Sequence, residues 1–314
     1  MLKRILKAEL LFWVILGFGF ITSCEKRSVS RDLAIHTSKE SVEKVRIEKH
    51  EPSPEFKSYW YAGEAEISSY KLEQVRYGEI RQGTAVLIYV TEDFLPEIQV
   101  KADYPNAANV PVLKLNATKN FHTGVYPYSI MQSTFYPISN DQHALKVSSS
   151  MQEWCGHVYA QLNNRGQFEI QSHSYFQGEA DEDFKLEKSI LENELWTKLR
   201  INPKTLPTGK LNSIPSFEYT RLKHKTIKAY GAEATLTANT YAIHYPKLNR
   251  TLSITFNPNF PHDILSWEET FKSGYGANAN TLSTKATKLK TIKSPYWQKN
   301  SNKDASLRQT LGLD

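Results

Sequence analysis

Ala85-Val86-Leu87-Ile88-Tyr89-Val90 is six apolar residues without a break, four of them β-branched or aromatic. A run that short and that uniformly apolar is a strand buried on both faces. Phe168-Glu169-Ile170-Gln171-Ser172-His173 alternates instead, as a strand with one wet face does. Phe217 to Tyr230 alternates over much of its length and reads as a further, basic strand. Ala232 to Tyr245 is rich in Thr, Tyr and Ala, with Asn239 marking a turn and Pro246 ending it. Thr251 to Phe256 pairs with Ile264 to Phe271 across the loop Asn257-Pro258-Asn259-Phe260-Pro261-His262-Asp263, whose prolines and asparagines favour a turn.

One helix interrupts this pattern. Ser189-Ile190-Leu191-Glu192 has the form of a capping box, Ser at the cap and Glu three residues later. Leu191, Leu195 and Leu199 follow at helical spacing, with Ile190 and Trp196 widening the stripe, and Asn202-Pro203 stops it. The stripe reads as core. Many strands, one or two helices and no βαβ rhythm predict a mainly β fold: an antiparallel curved sheet, half-barrel or barrel-like.

The first residues read as an export signal. Lys3, Arg4 and Lys7 precede an apolar run from Leu10 to Ile21, too short to span a bilayer as a helix. The run ends in Ile21-Thr22-Ser23-Cys24, which resembles the lipobox of bacterial lipoproteins. The resemblance implies cleavage after Ser23 and acylation of Cys24, and hence a protein anchored to a membrane rather than spanning it. The expected organisation is a signal peptide over 1–23, a lipidated Cys24 and tether over 24–55, a β-rich body over 56–281 with room for two subdomains, and a basic tail over 282–314. In the tether, Glu25 to Glu55 holds seven acidic and seven basic residues, and Ser41 to His50 has the pattern of a short helix. The tail holds six Lys and one Arg against two Asp, the signature of a solvated edge strand guarded by lysines. The expected location is the cell envelope, on the periplasmic face of an outer membrane.

With 314 residues and 40% apolar composition, the chain is neither disordered nor a multi-span membrane protein. Two cysteines exclude a disulfide scaffold and a four-thiolate zinc site. No Gly-rich phosphate loop, Gly-x-Ser-x-Gly elbow or zinc motif is present. No metal or cofactor is therefore expected, nor, for an exported protein, a nucleic-acid partner. The catalytic candidates are Cys155 and His157 in Trp154-Cys155-Gly156-His157, with Glu153 as the carboxylate. A thiolate near an imidazole is a nucleophile, but residues two apart on a strand lie about 7 Å apart. Packing is the simpler role for a lone Cys. His157 and His173 would meet only on adjacent strands. Glu179-Ala180-Asp181-Glu182-Asp183 reads as a solvated acidic loop.

Several stretches resemble an uncharacterised lipoprotein family of Bacteroidota. They are Tyr59-Trp60-Tyr61-x-Gly63-x-Ala65-Glu66-Ile67, Ala85 to Phe94, Tyr126 to Ser133, Gln152 to His157, Glu192 to Pro203 and Leu265 to Lys272. Members are often labelled "septum formation inhibitor Maf". The label carries over no catalytic residue, because the Ser-x-Ser-Pro-Arg-Arg loop of the Maf pyrophosphatases is absent here. Three functions are consistent with these readings. The first is a non-catalytic, membrane-anchored periplasmic lipoprotein binding a lipid-like or other amphipathic ligand on a concave aromatic face. The second is an envelope hydrolase or transferase using Cys155 and His157. The third is a structural partner in envelope assembly.

Overall fold

In the computed structural model, residues 51–139 and 142–313 are described, so Cys24, the signal segment and the Ser41–His50 pattern lie outside them. The described chain opens with helix α1 (Pro54–Trp60), which the tether reading did not foresee. Ser53 caps it, its side chain accepting from the Phe56 amide, and Pro54 has the position where a missing N–H costs nothing.

One continuous sheet follows. Its strands in chain order are β1 (Ala65–Arg76), β2 (Glu79–Leu95), β3 (Val100–Lys101), β4 (Val110–Thr123), β5 (Tyr126–Pro137), β6 (Lys146–Glu153), β7 (Gly156–Asn164) and β8 (Phe168–Ser174). They continue with β9 (Glu182–Leu186), β10 (Ile190–Leu191), β11 (Gly209–Ile214), β12 (Tyr230–Leu236), β13 (Thr240–Tyr245), β14 (Arg250–Phe256), β15 (Ile264–Ser273) and β16 (Asn280–Ser294). The spatial order runs β10-β11-β12-β13-β14-β15-β16-β1-β2-β4-β5-β6-β7-β8-β9, with β3 beside β2. Every pairing is antiparallel except β10 with β11. The sheet is curved and unclosed. Its two ends, β9 and β10, are consecutive in sequence.

The curvature follows from what packs together. Leu113 and Leu115 of β4 share a core with Ile243 and Tyr245 of β13 and Ile254 of β14, strands far apart in the order. At the seam, Phe168 and Ile170 of β8 join Leu191 of β10 and Ile214 of β11. Only a strongly curled sheet brings those residues into one cluster.

Helix α2 (Glu192–Ile201) lies against the concave face and reaches strands from both halves. Seven of its ten residues are buried, Glu192, Glu194 and Arg200 among them. Arg200 pairs with Glu66 on β1, the Trp196 carbonyl accepts from the Tyr89 hydroxyl on β2, and Arg250 on β14 pairs with Glu192. Helix α3 (Phe217–Leu222) is buried along its whole length. Many of the aromatic residues that suggested an open ligand face are thus buried in the core. Tyr70, Tyr89, Tyr128, Tyr241 and Tyr245 are all fully buried. Their hydroxyls find acceptors, as buried Tyr requires: Tyr70 on the Ile264 carbonyl at 2.8 Å, Tyr241 on that of Pro207 at 2.9 Å.

Four expectations change. The body is one sheet, not two subdomains. Residues 282–294 are not a tail or an edge: β16 sits between β15 and β1 and pairs with both. Thr284 and Ala286 are buried with Lys285 exposed between them, so period-2 packing decides its place and charge does not. The start of Phe217–Tyr230 is helix α3, because Ser216 caps it by accepting from the Tyr219 amide. Finally, α2 begins three residues after Ser189. Leu191 holds the cap position, and the Glu194 carboxylate accepts from the Leu191 amide at 3.1 Å. Ser189 Oγ has no partner. The other expected strands, including the β14–β15 hairpin and the turn at Asn239, are present.

Candidate ligand-binding site

Between α2, α3 and the strands they face lies a narrow cleft with about 50 Å³ of free interior space. Part of its lining is apolar: Leu87 of β2, Leu115 and Ala117 of β4, Leu252 of β14, Trp267 of β15 and Trp196 of α2. Trp196 and Trp267 meet edge to face, with ring centroids 5.3 Å apart. Interleaved with these are the charged side chains of Lys119, Glu192, Glu218, Arg250 and Glu269.

Alternation along the strands places these charges. Arg250 shares its face of β14 with Leu252, Ile254 and Phe256. Lys119 has the same parity on β4 as Leu115 and Ala117, and Glu269 the same parity on β15 as Trp267 and Phe271. The charged set is fully knit. Arg250 grips both oxygens of Glu192 and, through Nε, Glu269 at 2.6 Å. Its guanidinium stacks 4.2 Å from the Tyr219 ring centroid. Lys119 Nζ bonds Glu218 at 2.6 Å, and Gln132 donates to the other Glu218 oxygen at 3.1 Å. Asn193 of α2 donates in turn to Gln132 at 2.9 Å. Pairing is what allows five charges at such a depth.

Burial raises the Glu218 carboxyl above the ordinary carboxylate range; Lys119 opposes the rise and Glu269 adds to it. A carboxyl raised in this way is a proton donor or acceptor poised within an apolar cleft. Burial also pushes the Tyr219 hydroxyl up to about 12, against the pull of Arg250. Neither Lys119, Glu218 nor Arg250 stands out in the sequence by motif. What marks them is a charge at a buried parity of an otherwise apolar alternation. Glu192 was visible as a residue, but as the Glu of a capping box.

A second ion pair closes the lumen beside α1. Arg200 and Glu66 form two hydrogen bonds of 2.7 Å, both side chains almost wholly buried. Tyr59 donates to the same carboxylate at 2.5 Å. Burial pushes Glu66 up, but Arg200 pulls it further down, and its net position is below the ordinary range.

The sequence-derived catalytic candidates lie elsewhere. Trp154 and Cys155 form the two-residue turn of the β6–β7 hairpin, and Trp154 is 69% exposed. Cys155 is exposed as well. Glu153 accepts from the Cys155 amide at 2.7 Å and from the Tyr175 hydroxyl at 2.8 Å. The Glu153 carboxylate, as acceptor to the thiol, holds Cys155 above the ordinary thiol range, the opposite of nucleophile activation. His157 is exposed, one residue into β7. β7 and β8 are adjacent, but His173 faces Tyr159 across the pair rather than His157. His173 lies 3.3 Å from Asp181 instead. The acidic segment is a loop only in part: Glu179 accepts from Ser174 and faces His224 at 2.6 Å, while Glu182 and Asp183 begin β9. Among the described residues, no group of three His, Cys, Asp or Glu side chains is placed to hold a metal, and no helix is long and apolar enough to cross a membrane.

No protein-family model and no curated protein matches the chain. Among solved structures, a β-barrel-like protein of Brucella abortus, from a domain family of unknown function, aligns over 73% of this chain and 96% of its own. The identity is 8% and the TM-score 0.40. A porin-like protein from Bacteroides uniformis aligns over 71% of this chain and 95% of its own, at 8% identity and a TM-score of 0.19.

Proposed function

We propose that this protein is a lipid-anchored, non-catalytic binding protein of the cell envelope, and that its body takes a small amphipathic molecule in the cleft between α2, α3 and the sheet. The observation that carries the reading is the mixed lining of that cleft, apolar residues from Leu87 to Trp267 interleaved with a set of paired charges. An apolar pocket with a few convergent polar groups is the usual form of a small-molecule site. The ligand's apolar part packs on Trp196, Trp267 and Leu115. Its polar end exchanges hydrogen bonds with the Lys119–Glu218–Gln132 network.

Because α2 and α3 are buried against the sheet and the cleft beside them has only about 50 Å³ of free space, the occupant inserts a short apolar group rather than lying along the whole sheet. Acylation of Cys24 holds the body near the membrane from which such molecules come. The Ile21-Thr22-Ser23-Cys24 motif supports the anchor.

Mass spectrometry tests both parts. Purified protein should release an amphiphile on organic extraction, and Ala117→Phe, which fills the cleft, should release none. An N-terminal peptide beginning at acylated Cys24 should appear in the digest. Empty wild-type protein that takes up no amphiphile refutes the ligand; an unmodified Cys24 with the leader intact refutes the anchor.

A further inference from the structure

Neighbouring strands run antiparallel, so the β1–β2, β4–β5, β6–β7 and β15–β16 turns all lie at one end of the sheet. The first three are two-residue turns: Tyr77-Gly78, Gly124-Val125 and Trp154-Cys155. The chemistry of such turns favours Asn, Asp and Gly. Here each holds a large apolar or aromatic residue that the fold does not cover. Val125 is 76% exposed, and Tyr77 and Trp154 are exposed as well. Tyr77 holds the left-handed backbone region, with φ 55°, which a bulky side chain rarely adopts. The β15–β16 turn presents Tyr275, 78% exposed, on an uncharged loop from Gly274 to Ala279.

These tips adjoin. The Gly78 amide donates to Ser273 Oγ at 3.1 Å, which joins the β1–β2 and β15–β16 turns. Tyr77 shares a 3.0 Å hydrogen bond with Tyr128 of β5, and the Tyr126 ring lies 6.4 Å from that of Trp154. Turns at the opposite end differ. Arg165-Gly166-Gln167 joins β7 to β8 and residues 237–239 join β12 to β13, both without a large apolar residue. The exposed apolar residues of that end lie off the tight turns: Ile98 and Tyr104 between β2 and β4, on a stretch that also carries Glu97 and Asp103, and Trp297 on the segment after β16.

Lysines flank the apolar tips. Lys225 and Lys228 follow α3, Lys247 lies in the β13–β14 turn and Lys272 near the end of β15, all of them exposed. Lys223 ties the segment after α3 to this end by donating to the Lys272 carbonyl at 2.9 Å. Carboxylates close to the tips are engaged, Glu79 with Arg81 and Glu153 with Tyr175. The acidic β8–β9 loop bounds the patch on the far side, where Glu179 faces His224 and Asp181 faces His173. Protein interfaces are depleted in Lys, whereas Tyr and Trp with lysines beside them suit the surface of an anionic bilayer.

We infer that this rim docks on an anionic phospholipid membrane. The four apolar tips enter the boundary between headgroups and acyl chains, and the lysines meet the phosphates around them. Docking needs neither an occupant in the α2 cleft nor an acyl chain on Cys24.

The full chain with Cys24→Ser keeps Cys155 as its single thiol, in the turn beside Trp154. An NBD fluorophore on Cys155 reports whether the rim enters a bilayer. Phosphatidylglycerol vesicles should shift its emission saturably to the blue, and phosphatidylcholine vesicles should do so far more weakly. Val125→Asn/Tyr275→Ser, both at exposed turn positions, should weaken binding to phosphatidylglycerol roughly tenfold or more, and Lys225→Ala/Lys228→Ala by about the same factor. Tyr104→Ser/Trp297→Ser, at the opposite end, should bind as the wild type does. No blue shift on phosphatidylglycerol, an equal shift on phosphatidylcholine, or tip or lysine variants that bind like the wild type overturn the assignment, as does loss of binding in the opposite-end variant.

Discussion

At the scale of single residues, the lumen runs against the ordinary composition of a β core. Glu66, Glu192, Glu218, Arg200 and Arg250 are buried among Trp and Tyr rings. Each is tolerable only because its partner is present. Removing one half of such a pair leaves a naked charge and costs about 3–5 kcal/mol, whereas replacing both halves with apolar residues costs far less. Urea unfolding should therefore show Arg200→Met losing about 3–5 kcal/mol, and Glu66→Met/Arg200→Met regaining most of it. The pH dependence has a defined sign. Glu66 titrates lower in the fold than in the unfolded chain, so acidification protonates the unfolded state first. Its stabilisation is complete above the ordinary Glu value and is lost as pH falls through the folded one. Glu218, raised by burial, works in the opposite direction over the range just above the ordinary value. Stability curves of Glu66→Gln and Glu218→Gln between neutral and acid pH should deviate from wild type with opposite slopes. None of these pairs was legible in the sequence as a pair, because Glu66 and Arg200 lie 134 positions apart and meet only when β1 and α2 pack.

At the scale of elements, alternation and turn chemistry were readable, and helix boundaries less so. The β14–β15 hairpin could be placed because both strands alternate cleanly and the loop between them is rich in Pro and Asn. Helix α3 could not, since a short helix of Phe, Glu, Tyr, Thr, Arg and Leu has no second turn in which a stripe can show. For α2 the capping serine was the wrong one. Ile190 and Leu191 pair with Ser213 and Ile214 of β11, and that short parallel ladder keeps the chain extended past Ser189. Glu194 then does the capping and also accepts from the Ala144 amide at 2.7 Å and faces His143 at 2.9 Å. Ser189→Ala should accordingly change stability by less than about 0.5 kcal/mol, while Glu194→Ala should cost about 1–3 kcal/mol. Chemical denaturation of the two variants side by side measures both.

At the scale of the whole molecule, sixteen strands and two lumen helices form one cooperative body. Its final strand is structural: β16 bridges β15 and β1, and helix α4 (Ser306–Thr310) brings Leu311 onto Ala65, Ile67 and Val90 on the outer face of the sheet. Charge counting misassigned this segment because lysines on an interior strand, two of them paired with Asp263 and the Tyr59 carbonyl, and lysines on a tail contribute alike to composition. A chain ending at residue 281 leaves β1 and β15 each with an unpaired edge, since β1 keeps only β2 and β15 only β14. It should fail to show a cooperative thermal transition by circular dichroism; a sharp transition near that of the full chain would mean the last strand is dispensable.

The same curled sheet, with α2 in its lumen, leaves the cleft lined by Trp196 and Trp267 on which the functional reading depends. The most direct measurement is quenching of tryptophan fluorescence by a fatty acid carrying bromine on its tail, since bromine quenches on contact. The account predicts saturable quenching in the wild type and its loss in Ala117→Phe. Absence of quenching in the wild type, or equal quenching in the filled variant, would contradict it.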